Sequence, residues 1–198
     1  MKKIGIFLAV CANVFNIYAQ NKIKGHEYVD LGLSVKWATC NVGANAPHDY
    51  GNYYAWGETS TKSEYTEDNS RTYDKNMSDI SRNSNYDVAR DNWGGSWRMP
   101  TKREMEELII RCTWKWTTQS GVKGCRVTGP NGNSIFLPAA GRRDGSSRDS
   151  VGEVGDYWSS TPNESRTSSA FSLYFYSGGH DVSWYDRYYG HTVRPVSD

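Results

Sequence analysis

The residue types able to do covalent or acid–base chemistry are few in this chain, and their spacing does not group them. His26, His48, His180 and His191 lie beside turns, with no Ser, Cys or carboxylate at a nucleophile–base spacing, so catalysis would require convergence in space. They read as exposed turn histidines. Glu104, Glu106 and Glu107 offer a carboxylate pair of the kind a glycoside hydrolase uses. Glu104 already has a helix-capping task, however, and the other two read as solvated. No Gly-x-Ser-x-Gly, His-Glu-x-x-His or phosphate-cradling loop occurs. Cys40, Cys112 and Cys125 lack the neighbours that zinc ligation or a redox pair demands. A Cys112–Cys125 bridge, a Cys40–Cys112 bridge and buried free thiols all stay open.

Recognition chemistry is better represented, between residues 172 and 191. Ser172, Tyr174 and Tyr176 alternate with Phe171, Leu173 and Phe175, so the hydroxyl-bearing set shares one face of a strand, and Ser183 and Tyr185 lie beside it across the Ser177–His180 turn. His180, Asp181, Asp186 and Arg187 add polar handles. Tyrosine offers a large rigid contact at low entropy cost, and Ser, Gly and Asp supply adaptable hydrogen bonds. The candidate ligand-binding residues are therefore Tyr174, Tyr176, His180, Asp181, Ser183, Tyr185 and Asp186, with no catalytic residue, no metal and no cofactor. The bland alternative is that these tyrosines merely pair across strands and stabilise the sheet.

Elements that position such a surface are legible around it. Thr101-Lys102-Arg103-Glu104 has capping-box spacing, and Met105, Leu108, Ile109 and Cys112 recur on one helical face. One clear helix is expected over about 102–112. Strands are expected over Tyr28–Leu31, Val35–Ala38, an aromatic strand through Tyr53, Tyr54 and Trp56, and segments around Trp114, Arg126–Thr128, Ser134–Leu137 and Tyr157. Residues 58–92 are almost free of aliphatics and read as a long functional or disordered loop. Gly141–Gly155 reads as a second loop. Trp37, Trp56, Trp97, Trp158 and Trp184 are expected in the core with Phe171, Leu173, Phe175 and Val182.

Composition bounds the function. Of 198 residues, 37% are hydrophobic, with eight Trp and fourteen Tyr, so the core leans on aromatic rings, which argue against a disordered chain. Lys2 and Lys3, the apolar run Ile4–Val10, and Ile17-Tyr18-Ala19 follow the order of an export signal over 1–19. Without it the chain carries one net negative charge, which gives no footprint for nucleic acid. No later apolar run is long enough for a transmembrane segment. The product is expected to be secreted, periplasmic or on the cell surface, with 20–198 as one domain.

Several motifs occur in order: Tyr28-Val29-Asp30-Leu31-Gly32-Leu33-Ser34-Val35-Lys36-Trp37-Ala38, Tyr53-Tyr54-Ala55-Trp56-Gly57-Glu58, Trp93-Gly94-Gly95-Ser96-Trp97-Arg98-Met99-Pro100-Thr101, Phe136-Leu137-Pro138-Ala139-Ala140-Gly141, Arg187-Tyr188-Tyr189-Gly190 and Val193-Arg194-Pro195-Val196. From about Glu27 to the end, the chain resembles the Fibrobacter succinogenes major paralogous domain family of exported bacterial proteins. That resemblance implies an α+β, C-type-lectin-like fold, a loop-rich twisted antiparallel sheet with neighbouring termini. It implies binding or adhesion rather than a defined activity. Pro162-Asn163-Glu164 and Asp91-Asn92-Trp93 only scramble the calcium motifs of sugar-binding lectins, so calcium-independent binding is expected. Arg98-Met99-Pro100-Thr101 is also similar to a segment of sulfatase-modifying oxidases, without their cysteine pattern.

The expectation is an exported, non-enzymatic domain recognising a glycan or protein ligand. The alternatives are a structural subunit of a surface appendage and a carboxylate-dependent glycoside hydrolase. Asp149-Ser150-Val151 also resembles an O-glycosylation acceptor, and the Asn, Asp, His, Ser and Tyr positions near the end are compatible with a diversified segment.

Overall fold

A computed structural model describes residues 21–198. The expected export segment, 1–19, lies outside the described residues. In chain order the strands are β1 (Lys22–Ile23), β2 (His26–Val29) and β3 (Lys36–Ala38), followed by helices α1 (Val88–Trp93) and α2 (Lys102–Arg111). Next come β4 (Thr113–Gln119), β5 (Val122–Thr128), β6 (Ser134–Pro138), β7 (Arg142–Asp144) and β8 (Ser147–Asp149). The chain ends with β9 (Val154–Pro162), β10 (Ser169–Tyr176), β11 (Gly179–Asp186) and β12 (Val196–Ser197).

These strands form four small sheets, ordered β1-β2-β3-β12, β11-β10-β9, β4-β5-β6 and β7-β8. The expected α+β, C-type-lectin-like fold with one twisted sheet is thereby corrected: the described chain is β-rich, with helices of only 6 and 10 residues. The physical reason is that segments read as loops make short pairings of their own. Gly141–Gly155 contains the β7–β8 hairpin, with Arg142 opposite Asp149. Tyr53–Trp56 makes no strand but contributes an isolated bridge, Tyr54 to His191.

The helix α2 forms as its cap predicts. Glu104 N–H donates to Thr101 Oγ1 (3.3 Å) and Thr101 N–H to Glu104 Oε2 (2.8 Å), satisfying two end donors. Arg98 clamps the same carboxylate through Nη1 and Nη2 at 2.9 and 2.6 Å. Met105 and Leu108 are buried and pack with Val127, Leu137, Tyr157, Leu173 and Phe175 into one core. Gly155 is needed opposite Phe175, because a β-carbon there would stand 2.2 Å from the ring.

A second core explains the long segment 58–92. Ile80, Val88 and Ala89 pack with Trp56, Met99, Trp158 and Val193, so its few aliphatics are the residues that anchor it. The missed helix α1 starts at Asp87, whose buried carboxylate accepts from the N–H groups of Ala89, Arg90, Arg82 and Met99. Trp37, Trp56, Trp97 and Trp158 are buried as expected. Trp184 is 46% exposed, which corrects its core assignment. Among the described residues, Cys40, Cys112 and Cys125 are free. Burial pushes the Cys112 thiol up to about 11 and that of Cys125 up to about 12. No helix among the described residues is long and apolar enough to cross a membrane.

Candidate functional site

Strand register decides which candidate residues can act together. On β10, Tyr174 pairs with Asp181 of β11 and Asp156 of β9, Ser172 with Ser183 and Trp158, and Ala170 with Tyr185. Directly paired residues project to the same side. Five of the expected site residues therefore share one face: Tyr174, Tyr176, Asp181, Ser183 and Tyr185. The ring centroids of Tyr174 lie 5.7 Å from Tyr176 and 6.5 Å from Tyr185. Tyr176 is 44% exposed, and Tyr174 and Tyr185 are half-buried.

His180 and Asp186 do not join them. His180 pairs with Phe175 and Asp186 with Ser169, one residue out of phase with the tyrosines, so both project to the opposite face. There His180 stacks on Trp114 at 4.6 Å. Asp186 accepts from Ser169 Oγ at 3.0 Å and lies 3.4 Å from Arg166. Arg166 also sits 4.8 Å over the ring of the exposed Trp184. Arg187, read as a polar handle, is 1% exposed.

Beneath the tyrosines lies a polar cluster that the sequence did not reveal. Asp156 is fully buried and meets Arg142 Nη1 at 3.5 Å. The same guanidinium lies 5.8 Å from the Tyr185 ring centroid and 5.7 Å from that of Tyr189. Burial pushes the Asp156 carboxyl up to about 6, with Arg142 opposing. Tyr185 is pushed up to about 12 by burial and then by the Asp156 charge, and Tyr174 is raised for the same reasons. A phenol held protonated at neutral pH keeps its O–H as a donor.

His191, expected in an exposed turn, is fully buried between the Trp158 ring at 4.0 Å and Tyr185 at 5.1 Å. Burial, and then Arg142, hold its pKa well below the ordinary value. Ser172 Oγ donates to the Tyr157 carbonyl (2.9 Å) and meets His191 Nδ1 at 3.0 Å. With that proton committed, the serine lone pair accepts from Nδ1–H, which leaves Nε2 as a bare acceptor. Asp156 Oδ1, Arg142 Nε and His191 Nε2 are all buried without a hydrogen-bond partner.

Asp156 did leave a trace, as a lone charge inside the otherwise uncharged strand segment Gly155–Pro162. Arg142 and His191 left none, since each lies in a turn-rich stretch. The α2 carboxylates are engaged locally: Glu104 with Arg98, Glu106 with Lys102 at 3.3 Å, and Glu107 with Ser34. Among the described residues no group of three or more His, Cys, Asp or Glu side chains is placed to hold a metal ion. A family model described as the Lcl C-terminal domain matches residues 28–197. No curated protein and no solved structure matches the chain.

Proposed function

The chain belongs to the Lcl C-terminal domain family, and from that premise we propose that it is an exported, non-enzymatic binding domain that holds an oligosaccharide on its tyrosine face. Membership is consistent with a surface or exported protein. The kinship with the Fibrobacter succinogenes major paralogous domain family, carried by the ordered motifs from Tyr28 to Val196, is part of the same proposal. The observation that supports the reading is the clustering of Tyr174, Tyr176 and Tyr185, with centroid spacings of 5.7 and 6.5 Å, around the Asp156–Arg142 pair.

Aromatic faces bury the C–H side of a sugar ring while phenol and carboxylate groups meet its hydroxyls. Asp181 and Ser183 on the same face supply further acceptors and a donor. A glycan array tests the reading. The native protein is expected to give a restricted set of hits that Tyr174→Ala and Tyr185→Ala each abolish. An array with no hits, or hits that survive both substitutions, overturns it.

A further inference from the structure

The buried Arg187 side chain opens onto a cavity that none of the tyrosine-face residues lines. Its Nε–H donates to the Ser169 carbonyl at 3.0 Å, and Nη1 donates to the carbonyls of Thr72 and Lys75 at 3.0 and 2.8 Å. Those bonds hold the guanidinium 4.4 Å over the Trp56 ring. Nη2 makes none of these bonds. Arg187 stands in the wall of a cavity of about 350 Å³, with Asn76, Met77, Ser78, Asn163, Glu164 and Thr167 around it.

Neutral carbonyls orient a guanidinium but do not cancel its charge. Burial lowers the Arg187 pKa to about 10 with Asp74 opposing, so the group stays cationic at neutral pH. A buried cation with a free donor attracts an anionic group. A purely anionic ligand, however, would also meet the exposed Glu164 carboxylate and the field of Asp74, which accepts from Thr167 Oγ1. A purely cationic ligand would meet Arg187. A molecule carrying both charges a few atoms apart satisfies both ends, and the amide and hydroxyl groups of Asn76, Asn163 and Ser78 match its remaining polar atoms.

We propose that this cavity binds a small zwitterion of the α-amino-acid class, with its carboxylate on Arg187 Nη2 and its ammonium toward Glu164.

The test is an NMR titration of the isotope-labelled protein with each of the twenty standard amino acids, with acetate and methylamine as single-charge controls. At least one amino acid is expected to give saturable shifts in the backbone amides of Asn76, Asn163 and Thr167, while acetate and methylamine bind at least about tenfold more weakly. Glu164→Gln, at an exposed position, is expected to weaken the amino acid about two- to fivefold, the scale of an exposed ion pair, and to leave acetate no weaker. Asn76→Ala, also exposed, gives a second, fold-neutral variant that reduces binding. Saturation by no amino acid overturns the proposal. So does equal binding of acetate together with indifference to Glu164→Gln, which would mark a plain anion site.

Discussion

The two faces of the β9–β10–β11 sheet are made of alternate residues on the same three strands, yet they are closed in opposite ways. One face presents Tyr157, Leu173 and Phe175, which pack into the apolar core with Met105 and Leu108 of α2, while Trp184 and Asp186 on its β11 edge stay outside that core. The other presents Asp156, Ser172, Tyr174 and Tyr185 and buries a carboxylate, an imidazole and part of a guanidinium. Apolar burial is non-directional, whereas buried polar groups must be matched atom by atom. Three unpartnered atoms remain in the second cluster, so the polar face is less completely satisfied than its neighbour. Buried polar atoms left unmatched lower stability, so that face contributes less to the fold than its neighbour.

Substitutions can break or sharpen this contrast. The largest effect is expected on the apolar face: Phe175→Ala removes a buried ring that contacts Trp114 and Tyr157 at 5.7 and 5.8 Å, and should cost about 3–5 kcal/mol in denaturant unfolding. A loss below about 1 kcal/mol would mean that the apolar face is not the main source of stability.

Next comes Asp156. Its folded pKa of about 6 lies above its ordinary 3.8, so the folded state holds the proton more tightly than the unfolded one. That contribution favours the fold below about pH 4 and is lost as pH rises through 6, a swing of about 3 kcal/mol for a two-unit shift. Asp156→Asn should remove this pH dependence and stabilise the protein at pH 7 by roughly 1–3 kcal/mol. Unfolding midpoints of both proteins from pH 4 to 7 would check it. A less stable Asn variant at pH 7 would mean that the Arg142 pairing outweighs the cost of burial.

Tyr174→Ala should be milder, about 1 kcal/mol by thermal unfolding, because the ring is only half-buried, while ligand binding is lost. The smallest effect is expected at Trp184→Ala. Its 46% exposure and single cation–π contact with Arg166 predict a change within about 1 kcal/mol by calorimetry.

The same contrast explains what could be read in the sequence. Local rules located α2 through Thr101 and Glu104, and alternation correctly separated Leu173 and Phe175 from Tyr174 and Tyr176. Alternation also held the information that His180 and Asp186 are out of phase with the tyrosines, although composition had grouped them together. The fold class was misread, because the β7–β8 hairpin is hidden in a Gly/Ser/Asp/Arg stretch that reads as loop, and the Tyr54–His191 bridge depends on a partner distant in the chain. Helix α1 was hidden by its six-residue length and its Asp87 cap inside a polar segment. Trp184 shows that a correct parity does not fix burial, since β11 lies at the edge of its sheet. Arg142, Asp156 and His191 converge from β7, β9 and the segment after β11, and no local pattern encodes that meeting.

The central claim is that the tyrosine face is where ligand is held. The most direct measurement replaces tyrosine with 3-fluorotyrosine and follows assigned fluorine resonances while a mixed pool of oligosaccharides is added. Saturable shifts are expected at Tyr174, Tyr176 and Tyr185, with Tyr28 and Tyr50 unmoved. Shifts centred on other tyrosines, or no shift at any concentration, would contradict it.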